Sequence, residues 1–236
     1  MQFQSEIGSS PHPRNRLDIA TRTRLNPVLR NCAKTSAAND WRMPVTKPEA
    51  VPLCDIQAQY RALKSEIDSA VLRVLESGQA ILGPEVAAFE KESAEYCRAK
   101  YAVGCGSGTD ALVLALHALG IGPGDEVIVP PFTFFATVSS VCRVGATPVF
   151  ADIDPLTFNI DPAEIEAKIT DRTRAIVPVH LYGQCCDMNE IRRIADEHGI
   201  DVVEDAAQSF GAEYDGVRCG SLGAISCFSF SSWLSL

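Results

Sequence analysis

YAVGCGSGTDALVLALHAL, residues 101–119, runs a short β-type stretch, a glycine-rich turn and an apolar helical stretch together without a break. Tyr101–Cys105 reads as a strand and Thr109–Leu119 as a helix, so GCGSGTDAL at 104–112 is a strand-to-helix turn. Glycines there let backbone N–H groups approach an anion, and the helix N-terminus adds a favourable dipole of about 0.3–1 kcal/mol. Three familiar versions of such a turn fail on their residues. A dinucleotide fingerprint needs a third glycine where Thr109 stands, and a P-loop needs a following Gly-Lys-Ser/Thr. A nucleophile elbow needs glycines two positions either side of Ser107, where Cys105 and Thr109 stand. An ordinary turn and a local anion site both remain open.

The same alternation continues downstream. Strand-like runs at Glu126–Val129, Thr147–Phe150, Ala175–Val179, Asp201–Glu204 and Ile225–Phe230 are separated by helical runs at Phe134–Val144, Asp161–Ile169 and Asp187–His198. Repeated βαβ units predict an α/β fold in three layers, a mostly parallel sheet with helices on both faces, whose ligands bind at the carboxyl ends of the strands. Upstream, Tyr60, Leu63, Ile67, Val71 and Val74 recur at helical spacing with Gly78 placed to end the helix. Gly83-Pro84 opens a second helix with Val86, Phe89 and Tyr96 on its apolar side. Residues 1–45 differ, with arginines among Ser, Asn, Thr and Pro and no sustained apolar period. They are expected to be a disordered leader or to precede the true start at Met43, a transit peptide being the alternative.

Composition narrows the class. With 46% hydrophobic and 22% charged residues in 236, the chain can bury one sizeable core, expected over residues 46–236. No apolar stretch approaches the roughly 20 residues of a membrane span, and no secretory signal opens the chain, so a cytoplasmic protein without a membrane partner is expected. A formal net charge of −9 argues against nucleic acid as a partner. Nine cysteines lie singly except for Cys185-Cys186, without C-x-x-C or a metal-ligand spacing, and read as reduced thiols with no metal site.

Two further stretches can carry chemistry. In VVEDAAQS, residues 202–209, Asp205 ends an apolar strand, where a carboxylate requires a cationic or hydrogen-bonding partner; a helix N-cap is the plain alternative. Gln208 nearby can donate and accept. In PPFTFFATVSS, residues 130–140, Phe132, Phe134 and Phe135 are either core or a face for a flat ring. His180 in PVHLYGQ is a lone histidine with no catalytic role expected.

The ordered set GSGTDAL, P-x-T-F-x-A-T, D-I-D at 152–154, PVHLYGQ, EDAAQ and CFSF resembles the DegT/StrS family of sugar aminotransferases, from about residue 50 to 230. The resemblance implies the aspartate aminotransferase fold (type I of the pyridoxal phosphate enzymes) and a homodimer. It also implies transfer of an amino group from glutamate or glutamine to a nucleotide-linked keto sugar. Its cofactor would be pyridoxal 5'-phosphate, cycling with pyridoxamine 5'-phosphate. By the same resemblance Gly108, Thr109 and Asp110 would cradle the phosphate with their amides, and Ser229 would add a hydroxyl. Phe134 would stack on the ring, Asp205 would pair with the protonated ring nitrogen, and Gln208 would lie near the ring hydroxyl.

One position departs from the family. The Schiff-base lysine follows the FSF run after three residues, and Leu234 stands there; Lys168 is the last lysine in the chain. An alkyl side chain can neither form an imine nor move a proton. The resemblance therefore predicts an inactive front portion of an aminotransferase, lacking an antiparallel strand and a small domain, with a frameshift after Phe230 as the expected cause. Two alternatives follow: a non-catalytic partner of an intact paralogue, or a relative of the sugar dehydratases, whose lysine is replaced by histidine.

Overall fold

The computed structural model describes residues 55–230. The expected leader at 1–45 and Leu234 lie outside the described residues.

Helix α1, Ile56–Ser77, begins where the Asp55 carboxylate accepts the Ala58 N–H at 2.8 Å and ends on Gly78 in the left-handed conformation. Helix α2, Pro84–Cys97, starts with Pro84 in its first turn. Helix α3, Gly108–Ala118, is capped by Ser107, whose Oγ accepts the Asp110 N–H at 3.1 Å. The remaining order is β1 (Glu126–Val129), α4 (Phe135–Arg143), β2 (Thr147–Phe150), α5 (Pro162–Ile165), β3 (Thr173–Ile176), α6 (Met188–His198) and β4 (Asp201–Asp205). A short antiparallel hairpin, β5 (Glu213–Tyr214) with β6 (Val217–Arg218), precedes β7 (Ile225–Cys227).

Five strands form one parallel sheet in the order β2-β1-β3-β4-β7. All four residues of β1 are buried, as suits a central parallel strand covered on both faces. Because strand side chains alternate, the sheet divides its apolar residues between two layers. Ile128, Ile176 and Val202 pack with Met188, Ile191 and Ile194 of α6. Val127, Val129, Ala175 and Val203 pack with Leu112 and Leu116 of α3 and Val141 of α4. Each of the fully buried Ile and Val side chains adds about 1.5–3 kcal/mol from burial. The fold is the expected α/β arrangement, helix–sheet–helix.

Three local expectations need correction. Tyr101–Cys105 forms no ladder among the described residues, and Tyr101 and Val103 are exposed; β propensity without a paired neighbour does not make a strand. The helix expected over Asp161–Ile169 is one turn, α5, followed by a 3₁₀ turn at Glu166–Lys168. The strand expected over Ile225–Phe230 is shorter, Ile225–Cys227, and the Glu213–Arg218 hairpin is an addition to the expected elements.

Candidate functional site

The strand order reverses at β1: the chain steps from β1 outward to β2, then crosses back to place β3 on the other side. In open α/β sheets this leaves a crevice at the carboxyl ends of the two strands flanking the reversal. The segments that leave β1, β3 and β4 there are PPFTFF, PVHLYG and DAAQ, three of the stretches singled out in the sequence.

Asp205 is the last residue of β4 and is buried, 5% exposed. Thr137 of α4 donates its hydroxyl to Asp205 Oδ2 at 2.7 Å, and the Ala207 N–H donates to Oδ1 at 3.3 Å. Thr133 Oγ1 lies 2.8 Å from Thr137 Oγ1, which ties the loop after β1 to the same carboxylate. Burial pushes the Asp205 pKa up, opposed by the Thr137 and Ala207 hydrogen bonds and by His180. No cation is bonded to Asp205 among the described residues. The N-cap alternative does not hold, since no helix starts at Asp205.

Phe134 is the N-cap of α4 and 70% exposed, so its ring is open to a ligand and is not core. Gln208 Oε1 accepts the Tyr182 N–H at 2.8 Å, linking the turn after β4 to the turn after β3. The N-terminus of α3 meets the segment just after β7: a Cβ on Gly108 would stand 2.7 Å from Ser229 Cβ and 3.1 Å from its Oγ. Glycine at 108 is thus required by close approach and brings a hydroxyl beside the first helical amides, which have no acceptor inside the helix. The Asp110 amide is engaged by the Ser107 cap, so Gly108 and Thr109 supply the outward-facing donors.

These residues suit a planar, phosphorylated, cationic ring. A buried carboxylate without a cation matches a protonated ring nitrogen, and a glycine-bared helix start beside a serine matches a monophosphate. Thr133 and Thr137 escaped the sequence reading, although their spacing of one helical turn within P-x-T-F-x-A-T was visible.

His180, Glu204 and Cys219 form a second buried cluster, their ligand atoms all within 4.8 Å of one another, which no sequence spacing announced. Glu204 accepts N–H bonds from Gly220 at 3.1 Å and from Leu222 and Gly223 at 2.8 Å, and lies 3.2 Å from His180 Nε2. The Cys186 N–H donates to His180 Nδ1 at 3.1 Å, so the imidazole hydrogen is on Nε2, facing Glu204. With every carboxylate oxygen engaged, this cluster holds loops together.

The chain matches the model of the DegT/DnrJ/EryC1/StrS aminotransferase family over residues 61–233. It is 54% identical over 180 residues to the "pleiotropic regulatory protein" of Geobacillus stearothermophilus, covering 76% of this chain and 48% of that one. It is 52% identical over 180 residues to the UDP-2-acetamido-2-deoxy-3-oxo-D-glucuronate aminotransferase of Pseudomonas aeruginosa, covering 76% of this chain and 50% of that one. Among solved structures it is similar to S. venezuelae DesV in complex with a ketimine intermediate, with a TM-score of 0.76 and 50% identity over 77% of this chain and 49% of that one. The chain spans about half the length of the curated relatives it matches. No helix among the described residues is long and apolar enough to cross a membrane. By sequence and by fold, the chain belongs to the DegT/DnrJ/EryC1/StrS aminotransferase family.

Proposed function

We propose that this chain carries the cofactor cradle of a pyridoxal-phosphate-dependent aminotransferase that acts on a nucleotide-linked keto sugar, with glutamate or glutamine as amino donor. The observation that carries the reading is Asp205, a buried carboxylate oriented by Thr137 and lacking a cation among the described residues. When bound, the cofactor supplies an electron sink for the pair left when a C–H bond breaks during amino transfer. Asp205 holds the proton on the ring nitrogen, and Thr137 fixes the carboxylate. The Gly108 and Thr109 amides, the Asp110 amide shared with its cap, and the Ser229 hydroxyl take the phosphate. Phe134 offers its face to the ring, and Gln208 lies toward the ring hydroxyl. The setting is the cytoplasm, and the working form is a homodimer; exposed Ile67, Val71, Leu72 and Leu75 on α1 support a face that a second copy covers.

Titration with pyridoxal and pyridoxamine phosphates, followed by cofactor fluorescence, tests the cradle. Saturable binding that Asp205→Asn weakens supports it; no saturable binding overturns it. Leu234 is expected to leave the chain without transamination, since an alkyl group neither bonds to the cofactor nor carries a proton. Borohydride should then fix pyridoxal phosphate at position 234 of a Leu234→Lys variant, located by peptide mapping, over the scattered surface-lysine labelling that the parent also shows. The same leucine favours a second reading, a non-catalytic subunit beside an intact paralogue, which co-purification with an active aminotransferase would support and consistent isolation without one would refute.

A further inference from the structure

Cys185 and Cys219 come from positions 34 residues apart and meet with their Sγ atoms 3.2 Å apart. A disulfide requires about 2.05 Å, so closure needs roughly 1 Å of approach. Both loops are already fixed. Asn159 Nδ2 donates to the Gln184 carbonyl at 2.9 Å, immediately before Cys185. The Cys219 N–H donates to the Ala212 carbonyl at 2.9 Å, and the next amide is held by Glu204.

The two thiols differ in access. Cys185 is partly exposed, whereas Cys219 is buried. The hydrogen bond between the two thiols lowers the pKa of Cys185, with His180 assisting and burial opposing, while that bond and burial push the Cys219 thiol up. A lowered pKa on the more accessible thiol suits it to attack first. The adjacent Cys186 behaves oppositely: it is buried, its thiol donates to the Val179 carbonyl at 3.1 Å, and burial raises its pKa.

We propose that Cys185 and Cys219 are a reversible redox modification site, forming an intramolecular disulfide by exchange with a low-molecular-weight disulfide of the glutathione type. The Cys185 thiolate attacks one sulfur of oxidised glutathione, a mixed disulfide forms, and one glutathione thiolate leaves. Cys219 gives up its proton to solvent and attacks Cys185 Sγ; the mixed disulfide breaks and the second glutathione leaves as thiolate. Two protein thiols are oxidised and one glutathione disulfide is reduced to two thiols. The product staples the loop after β3 to the loop after β6.

The test is incubation of the full chain with oxidised glutathione, then peptide mapping without reduction and thermal unfolding. Expected are a Cys185–Cys219 cross-link, loss of two hydrogens from the chain at that pair, and a Tm raised by roughly 5 °C that reductant reverses. The exposed Cys105 and Cys142 serve as controls for adduct formation. In Cys219→Ser the glutathione adduct should accumulate at Cys185; if that variant does not fold, the wild-type map alone decides. A stable Cys185 adduct in the wild type, a cross-link joining other cysteines, or an unreacted Cys185 would overturn the proposal.

Discussion

Glu204 and Asp205 are neighbours at the end of β4, both buried, and they face opposite layers of the molecule. On one side Glu204 is met by three backbone amides and His180, with every oxygen engaged. On the other, Asp205 has one hydroxyl and one long amide contact, and burial raises its pKa. The first carboxylate is fully engaged in organising a loop; the second makes no ion pair among the described residues, which is what the proposed pairing with a cofactor nitrogen requires. Burial alone does not distinguish the two acids, but the count of satisfied lone pairs does.

The sharpest way to break this contrast is Glu204→Ala, which strips three amides and an imidazole of their acceptor. It should destabilise the fold by about 3–5 kcal/mol, read as a urea midpoint shift without change in slope. Asp205→Asn should do the reverse to the cofactor-free chain, raising Tm by a few degrees at pH 7, on the order of 1 kcal/mol, while weakening pyridoxal phosphate binding by roughly 30-fold or more. If Asn destabilised the free chain as Ala at 204 does, the two acids would be alike and the contrast would fail.

The pH dependence sharpens the same point. The folded chain holds the Asp205 proton more tightly than the unfolded chain, whose aspartates titrate near about 4. Stability should therefore fall as pH rises from about 4 through the raised pKa of Asp205, and Asp205→Asn should flatten that decline in urea melts taken at each pH. Gly108→Ala should cost about 1–3 kcal/mol from its encounter with Ser229. Adding Ser229→Gly should restore stability but not phosphate affinity, a double-mutant cycle that separates packing from binding. Thr137→Val, the mildest change, should cost about 1 kcal/mol and raise the Asp205 pKa further, measurable by NMR titration of the side-chain carboxyl.

How much of this was legible in the sequence follows from range. Val127, Ile128 and Val129, bounded by turn signals, read as a buried strand because that information is local. Asp205, Gln208 and Phe134 stand out in their local stretches and in the family motifs, and the structure sets Asp205 at the end of β4 and Phe134 at the start of α4. Tyr101–Cys105 misled because β-type residues declare a tendency, whereas a ladder depends on a neighbour. Thr137 on Asp205, the three amides on Glu204, and Cys185 against Cys219 were not legible, since each joins distant segments by geometry that spacing does not encode. The hairpin at Glu213–Arg218 turns on Asp215-Gly216, both with positive φ, a short-range signal that was present and unread.

The contact between Gly108 and Ser229 also bears on how the chain comes off the ribosome. One side of the proposed phosphate cradle is made well before the other in synthesis. The site is thus a contact of high sequence separation, closed late and slowly, after the central strands have paired. A ligand that recognised both sides would bind only once the two had met and would stabilise that contact.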